Sequence, residues 1–480
     1  MTNCLYRIAL AMLLLAPLGR AQQSPQGSKD SVLRAIDSRA ALYTGVASEI
    51  WNFAELGYQE EKSSALLQKQ LRDAGFEVQA GVAAIPTAFV ATYGSGKPVI
   101  GILAEFDALP GLSQAAVPFR QIMHEGAPGH ACGHHLYGTG SVAAVTAIKE
   151  WLASSGRSGT IRLYGTPAEE GGSGKVYMVR AGLFDDVDVV LTWHPRDRND
   201  ASPQTNLAIT SAKFRFHGVS AHASGFPERG RSALDGVEAM NYMVNLMREH
   251  VPQETRMHYV ITDGGLAPNV VPEEAEVYYY VRHPDGRTLA EIWERIEQAA
   301  RGAAMGTGTT VDWEVIGGSY NRLINTTLSR RVQANMESLG GLQYTPEEQT
   351  FAEKIRSTFG RVDVPLGSER DVQPFEEGIT MSSSDNGDVS WVVPMATFYA
   401  ATWVPGTASH SWQAVAAGGM SIGRKGMLLA AKVLATTAVD LFSDASLVDK
   451  ARQEWQERRG PDFQYTPLLG DREPPLDYRE

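Results

Sequence analysis

Cysteine is nearly absent from the sequence. Only Cys4 and Cys132 occur among 480 residues, and Cys4 lies in a segment typical of a cleaved leader. A mature chain with a single thiol has no intramolecular partner for it, so a disulfide-stabilised fold is excluded. Because Cys132 stands two residues before the imidazole of His134, the lone thiol favours a metal ligand over a structural cysteine.

Basic residues are also in deficit. Lys and Arg number 43 against 55 Asp and Glu, which gives a formal net charge of −12. A nucleic-acid partner needs a basic face that neutralises phosphates, so the composition argues against that class of ligand. A Walker phosphate-binding motif and internal repeats are also missing from the sequence.

Long apolar runs are scarce after the N-terminus. The run at residues 8–18 follows Arg7 and precedes the small residues Gly19 and Ala21, which is the pattern of a secretory signal peptide over residues 1–21. The run is too short to span a bilayer comfortably, and no later run is long enough, so we predict no membrane span. We therefore expect an exported protein, periplasmic or extracellular. A buried N-terminal helix is the weaker alternative, because residues 22–29 are polar.

Strands and helices alternate in the regions that flank the middle of the chain. Residues 98–104, 160–164, 187–192 and 395–400 have the composition of buried strands. Helical patterns lie before the first of them, at residues 31–56, and between the first two, at residues 141–153. This order predicts an α/β fold with a mixed, mostly parallel sheet flanked by helices. We assign this catalytic domain to residues 30–210 and 321–445, followed by a tail at 446–480.

The pattern changes between residues 211 and 320. Four alternating strands and two helices follow one another there in the order β-α-β-β-α-β. This order is the ferredoxin-like arrangement, so we predict a smaller α+β domain inserted into the larger one.

Polar side chains follow the predicted strands of the larger domain. Asp107, Glu169, Glu170 and His194 each come at or just after a strand's carboxyl end. Open α/β sheets bind ligands at that edge, so these residues predict a site there. The adjacent Glu169 and Glu170 lie in a Gly-rich turn, where one carboxylate can face a metal and the other a water molecule.

The segment Gly129-His-Ala-Cys-Gly-His-His135 adds further candidates to this edge. Cys132 and His134 can face one ion across the turn at Gly133, and His410 is an additional isolated candidate. Cysteine, histidine and glutamate together suit a site for two Zn²⁺ or Mn²⁺ ions. A mononuclear metal pair and a reactive thiol stay open as alternatives, and His135 has no assigned role.

These motifs together resemble the aminoacylase/carboxypeptidase family of dinuclear metallopeptidases, and within it the p-aminobenzoyl-glutamate hydrolase type of amidohydrolase. The resemblance covers nearly the whole mature chain and implies a zinc-exopeptidase-like fold. The matching segments lie, in order, at residues 129–134, 165–175, 191–195, 220–223, 268–271, 387–391 and around 410.

The resemblance implies how two metal ions would be held. Cys132 would bridge them, His134 and His194 would complete one ion, and Glu170 and His410 would complete the other. His135 is a departure, because Asn or Asp usually stands at this position in such proteins. It could retune the neighbouring ligand or offer an extra one.

The resemblance also implies the catalytic groups. Glu169 would be the general base and later the proton donor, and Asp107 would orient a ligand from behind. His222 would stabilise the oxyanion, often across a dimer interface. Asn269 and Arg282 would hold the substrate's carbonyl or carboxylate.

The implied activity is hydrolysis of an N-acyl or N-aroyl amino acid, p-aminobenzoyl-glutamate-like, or of a dipeptide, by a homodimer that joins through the inserted domain. Two alternatives compete with it. One is a non-catalytic binding protein that retains a relic metal site. The other is a thiol hydrolase with Cys132 as the nucleophile.

Overall fold

Helices and strands alternate along residues 25–479, which the computed structural model describes. The predicted signal peptide at 1–21 lies outside these residues. The helices are α1 (Pro25–Ser38), α2 (Ala40–Phe53), α3 (Glu61–Asp73), α4 (His134–Ser155), α5 (Gly174–Arg180), α6 (Ala233–Met247), α7 (Gly286–Thr307), α8 (Thr326–Leu339), α9 (Pro346–Arg356), α10 (Asn386–Val392), α11 (Trp412–Gly418), α12 (Ser421–Ser443) and α13 (Ala445–Arg459). The strands are β1 (Glu77–Ala80), β2 (Phe89–Ser95), β3 (Val99–Ala104), β4 (Gly159–Gly165), β5 (Val189–Arg196), β6 (Gln204–Thr205), β7 (Ala208–His217), β8 (Arg256–Asp263), β9 (Glu274–His283), β10 (Thr310–Ser319), β11 (Gly378–Ile379) and β12 (Met395–Ala401).

A six-stranded sheet forms the centre of the larger domain. Its order is β1-β2-β4-β3-β5-β12. Strands β4, β3, β5 and β12 pair in parallel, and β1 and β2 add an antiparallel edge. Every residue of β3 is buried, as expected for a parallel strand covered by helices on both faces. The predicted mixed, mostly parallel α/β sheet is confirmed.

Helix α12 crosses the core of this domain. It is apolar and long enough to cross a bilayer by composition, yet 78% of its most apolar window is buried inside the protein. It packs against α4 and α1. The helix therefore serves here as the central core helix of the larger domain.

The inserted region forms its own antiparallel sheet, in the order β10-β7-β9-β8, packed against α6 and α7. The order of its four strands is the one expected for the ferredoxin-like prediction. Phe214, Phe216, Val237, Tyr279 and Ile292 belong to a hydrophobic core separate from that of the larger domain.

Two helices of the larger domain differ from the sequence prediction. The expected helix over 31–56 is divided into α1 and α2 at Arg39, whose guanidinium pairs with Glu150 on α4. Helix α4 begins at His134 rather than at Ser141, in spite of Gly138 and Gly140. At Gly138 the helix packs so close to β3 and the residues after it that a Cβ would lie 2.7 Å from the Glu105 carbonyl oxygen, so the close packing requires glycine there.

The segment predicted as a tail, residues 446–480, begins with helix α13. This helix buries Leu447, Val448, Ala451 and Trp455 against the larger domain. As far as Arg479, the part of the predicted tail after Arg459 has no regular helix or strand. That stretch folds back, and the hydroxyl of Tyr478 donates to the carbonyl oxygen of Glu170, 3.1 Å away.

Candidate metal centre

The carboxyl ends of three adjacent parallel strands bring the predicted ligands together. Strand β3 pairs with β4 on one side and β5 on the other, so the residues that follow them meet at one edge. Asp107 follows β3, Glu169 and Glu170 follow β4, and His194 lies near the end of β5. His410 reaches the same edge because its backbone N–H donates to the Ala131 carbonyl oxygen at 3.0 Å.

Cys132 lies at the centre of the cluster. One set of donor atoms comes from Cys132, His134 and His194, and a second from Cys132, Glu170 and His410. Within each set all donor atoms lie within 4.8 Å of one another. The Cys132 Sγ, on a side chain that is almost completely buried, is 3.4 Å from His194 Nε2. The structure thus groups the five residues as two triplets that share the thiol.

The donor atoms suit divalent metal ions. His134 Nε2 and Glu170 Oε1 are buried and have no hydrogen-bond partner within residues 25–479. Nevertheless, Glu170 Oε1 lies 3.1 Å from His410 Nε2. Buried polar atoms normally find a partner, and atoms that approach closely without hydrogen-bond geometry are suited to share a cation. Thiolate, imidazole and carboxylate donors fit Zn²⁺ or Mn²⁺.

Asp107 supports this cluster from behind. One carboxylate oxygen lies 2.8 Å from His134 Nδ1, and the other accepts a 2.9 Å hydrogen bond from the backbone N–H of Glu170. A carboxylate on one ring nitrogen fixes the tautomer and leaves the other nitrogen free to bind a metal. Asp107 therefore positions one ligand from each triplet.

Glu169 stands beside the cluster, on the wall of a cleft of about 600 Å³. Its carboxylate forms a third close group with Glu105 and His134. Burial, followed by the charges of Glu105 and Glu170, raises the pKa of Glu169 well above its ordinary value. A carboxylate with a raised pKa can take and return a proton near neutral pH.

A buried ionic network beneath Glu169 escaped the sequence analysis. Lys175 Nζ lies 2.8 Å from a Glu105 oxygen and 2.6 Å from an Asp385 oxygen, with all three side chains almost completely buried. The neighbours of Lys175 on α5 are apolar and buried, and this isolated cation in an apolar helix was the available signal. Asp385 carried no such signal, because it lies 210 residues away in the chain.

His135 turns away from the metal ligands. Its Nε2 lies 3.2 Å from the Gly418 carbonyl oxygen, and its ring packs against His130 at a centroid distance of 4.9 Å. Burial lowers the pKa of His135 well below its ordinary value, so the ring is neutral. The expectation that His135 could offer an extra ligand does not match this geometry.

The environment of Cys132 disfavours a free thiolate. In the chain alone, burial and then the charge of Glu170 raise the pKa of the Cys132 thiol well above its ordinary value. A nucleophilic cysteine needs the opposite shift, towards a stable thiolate. The arrangement speaks against the thiol-hydrolase alternative and for a sulfur that a cation must deprotonate.

Comparison with curated proteins gives a match over most of the chain. One of the p-aminobenzoyl-glutamate hydrolase subunits of Escherichia coli (strain K12) is 40% identical over 450 residues, 88% of this chain and 94% of that protein. The chain belongs to the M20 peptidase family. The family resemblance inferred from the motifs is thereby confirmed. Xaa-Arg dipeptidase of Mus musculus is 29% identical over 88% of this chain and 90% of its own length.

These relatives are hydrolases, and this M20 protein is accordingly an enzyme, an amidohydrolase. Solved structures show the same fold. An aminohydrolase from methicillin-resistant Staphylococcus aureus has a TM-score of 0.60 at 20% identity and covers 86% of this chain and 99% of its own. A protein of Bacillus subtilis, described as a dinuclear metal binding peptidase from the M20 family, has a TM-score of 0.59 at 15% identity, covering 85% and 99%. The predicted zinc-exopeptidase-like fold is confirmed.

The inserted domain of this M20 enzyme matches the model of a peptidase dimerisation domain over residues 206–307. It carries the other three candidates, His222, Asn269 and Arg282. His222 and Asn269 lie on neighbouring loops at the surface, joined by a 3.0 Å bond from the Ala223 N–H to the Asn269 carbonyl oxygen. Arg282 lies on β9, with its guanidinium over the Tyr280 ring. Within the described chain, none of the three lines the cleft beside the metal ligands.

Proposed function

We propose that this M20 enzyme cleaves the amide bond of N-acyl or N-aroyl amino acids, or of dipeptides, with two divalent metal ions. One observation carries the proposal: two triplets of ligand atoms share Cys132 beside the raised-pKa carboxylate of Glu169. A two-metal hydrolase needs ligands for two ions and a base next to them, and this edge of the sheet offers both.

Each ion has its own set of ligands in the proposal. His134 and His194 would hold one, Glu170 and His410 would hold the other, and Cys132 would be a ligand shared by both sets. Zn²⁺ and Mn²⁺ both suit these donors. Ions held there would supply a water molecule with a pKa lowered to about 7 and would polarise the amide carbonyl. A shared thiolate also explains how an unpaired cysteine is protected in an oxidising compartment.

Glu169 moves the protons of the reaction. Its carboxylate accepts a proton from the attacking water, and the resulting carboxylic acid then donates that proton to the leaving amine nitrogen. The raised pKa of Glu169 supports the second step, because a strongly acidic carboxyl would not hold the proton long enough. Asp107 keeps the His134 ring fixed throughout.

The inserted domain contributes through a homodimer in this proposal. His222 stabilises the oxyanion of a partner's site, while Asn269 and Arg282 hold the carbonyl or α-carboxylate of the substrate. Two observations support it: His222 and Asn269 lie at the surface and outside their own cleft, and the surrounding residues match a dimerisation domain.

We further infer that the enzyme is exported to the periplasm or the cell exterior. The charged, apolar and small-residue pattern of residues 1–21 supports export. Fractionation of the source cells, with sequencing of the mature N-terminus, tests the inference. A mature protein that begins near residue 22 is expected. A cytoplasmic protein that still begins at Met1 would overturn it.

Substitution of Glu169 by Gln tests the mechanism. The amide keeps the volume of the side chain but cannot accept the proton, so turnover of N-acyl amino acids should fall roughly 10²- to 10⁴-fold. The far-ultraviolet circular dichroism spectrum and the metal content should stay unchanged. Glu61→Gln, at an exposed position on α3, is the matched control and should keep full turnover.

Two results would contradict the proposal. Full activity of Glu169→Gln would remove Glu169 as the base. A native protein that takes up no transition metal, against an expected two equivalents per chain, would favour the relic-site alternative. Inhibition by a chelator that added Zn²⁺ or Mn²⁺ reverses would exclude the thiol hydrolase.

A further inference from the structure

The wall of the cleft next to the candidate metal ligands carries two arginines that form no ion pair with an acidic side chain of the described chain. Arg322, which follows β10, is only 7% exposed and lines the cleft. Arg196, at the end of β5, lines it too. Within residues 25–479 neither guanidinium forms an ion pair, although both are permanently charged.

A single aromatic ring joins the two arginines. An Arg322 Nη2 donates to the Tyr399 hydroxyl at 3.1 Å, and the Arg196 guanidinium lies 4.1 Å from the centre of the same ring. The tyrosine is almost completely buried, and the two positive charges lower its pKa in spite of that burial. The three side chains form one rigid positive surface, which we call the arginine wall.

Several donor atoms around the arginine wall are also unused. Arg322 Nε, Ser383 Oγ and Thr397 Oγ1 are all buried and find no hydrogen-bond partner in the described chain, and all three residues line the cleft. Buried donors are normally satisfied, and a buried charge is normally paired. An anion with several acceptor oxygens would pair with the arginines and accept hydrogen bonds from these free donors.

The arginine wall lies one ring away from the metal ligands. The Tyr399 ring centre is 6.4 Å from that of His194, and Arg196 stands two residues after His194 on the same strand. A group bound at the wall would thus sit a few bonds from an amide carbonyl at the metals. That spacing suits a second functional group of the same small substrate.

We propose that the arginine wall binds the side-chain carboxylate of the released amino acid, so that the enzyme selects N-acyl derivatives of acidic amino acids. The inference rests on the proposed amidohydrolase function, in which Asn269 and Arg282 hold the α-carboxylate from the inserted domain. The arginine wall lies on the larger domain and Arg282 lies on the inserted domain. The two positive sites together can therefore bind the two carboxylates of one substrate. Guanidinium–carboxylate pairs are geometrically specific, which makes a neutral side-chain amide a poor substitute.

Turnover of a matched substrate pair tests the proposal. N-benzoyl-glutamate and N-benzoyl-glutamine differ only in whether the side chain ends in a carboxylate or an amide. The metal-loaded enzyme should favour the glutamate by roughly 10- to 100-fold in kcat/KM, the range expected for a hydrogen-bonded charge. In Arg322→Met this ratio should fall close to one, through loss on the glutamate substrate. Arg322→Lys should restore part of it.

The matched control is Arg331→Met, which removes an arginine of α8 whose guanidinium lies near Asp440 outside the cleft. Its preference should equal that of the unaltered enzyme. Folding has a separate readout: because Arg322→Met removes an unpaired buried charge, its melting temperature should not fall. If Arg322→Met fails to fold, Tyr399→Phe, which removes only the hydroxyl, should still weaken the preference.

A binding measurement separates this proposal from the proposed function. Glutarate, a simple dicarboxylate, should raise the melting temperature of the metal-loaded Glu169→Gln variant, and the added Arg322→Met change should abolish that rise. If the enzyme hydrolyses both substrates and the preference survives in Arg322→Met, the arginine wall is refuted and the amidase stands. If neither substrate is hydrolysed but glutarate stabilises only the protein with Arg322, the proposed function fails and the anion site stands.

Discussion

The sheet edge of the larger domain brings its candidate functional residues together, whereas the loops of the inserted domain hold theirs apart from the cleft. At the sheet edge, residues from four separate segments converge, and the donor atoms within each triplet lie within 4.8 Å of one another. In the inserted domain, His222 and Asn269 lie at the surface and stand apart from the cleft of their own chain. The candidate metal ligands are thus brought together within one chain, while the candidate substrate-binding groups of the inserted domain stand apart from them.

The difference has a physical origin. Parallel strands that pair in register must end at the same edge, so residues after β3, β4 and β5 converge whatever the substrate. The inserted domain has its own core, separate from that of the larger domain. The pairing of the parallel strands therefore does not hold its loops at that edge of the sheet.

Loss of a metal ligand should have the largest effect. His134→Ala removes an imidazole whose Nε2 lies 3.1 Å from a Glu105 oxygen without hydrogen-bond geometry, and which belongs to the first ligand triplet. We expect the variant to lose its bound metal. Its turnover should fall by more than the roughly 10- to 100-fold that loss of a hydrogen bond to a metal ligand costs. The neighbouring His135→Asn should keep both, because His135 bonds the Gly418 carbonyl. Elemental analysis after dialysis measures the difference, and equal metal loss in both variants would contradict the assignment.

Hybrid dimers test the proposed action of the inserted domain on the site of the partner subunit. Glu169→Gln and His222→Ala should each be strongly impaired as homodimers, the second by roughly 10²- to 10³-fold, as for loss of an oxyanion donor. A hybrid with one chain of each kind contains one site with an intact Glu169 and the partner copy's intact His222. Differently tagged chains, purified as hybrids, should recover about half of the unaltered turnover. Hybrids as inactive as both parents would mean that His222 does not act across the interface.

The smallest effect is expected at the joint between the two domains. Asp388 accepts hydrogen bonds from the Tyr320 N–H, where β10 leaves the inserted domain, and from the Tyr465 hydroxyl. Burial raises the pKa of Asp388 to about 7. The folded protein therefore holds a proton that the unfolded chain has lost, and stability falls as the pH rises through 7.

Between pH 6 and pH 8 this ionisation should lower the free energy of unfolding by about 1.4 kcal/mol. Asp388→Asn removes the titration, so its urea midpoint should change less with pH than that of the unaltered protein. The urea midpoint is plotted against pH for both proteins, and the difference between the two slopes separates the contribution of Asp388 from that of other titrating groups. Parallel slopes would show that its pKa is not shifted by burial.

Local patterns in the sequence predicted the two sheets, and they singled out the five candidate metal ligands whose donor atoms the structure brings together. Strand and helix periods are short, and each ligand lies in or just after a recognisable strand or turn. The arginine wall and the Lys175 network could not be found in this way, because Arg322 and Tyr399 lie 77 residues apart and Lys175 and Asp385 lie 210 apart. Pairings of that range follow from tertiary packing. Helix α13 was different: its buried Leu447, Ala451 and Trp455 already have helical spacing.

The return of the chain's last described residues has a consequence for how the metal centre matures. Tyr478 and Arg479 both donate to the carbonyl oxygen of Glu170, across sequence separations of 308 and 309 residues. The turn that holds this candidate ligand can gain these two hydrogen bonds only after residues 478 and 479 have been synthesised, long after Glu170 itself. Closing a loop of that length costs more entropy than forming a local contact, so we expect this turn to reach its final form late in folding.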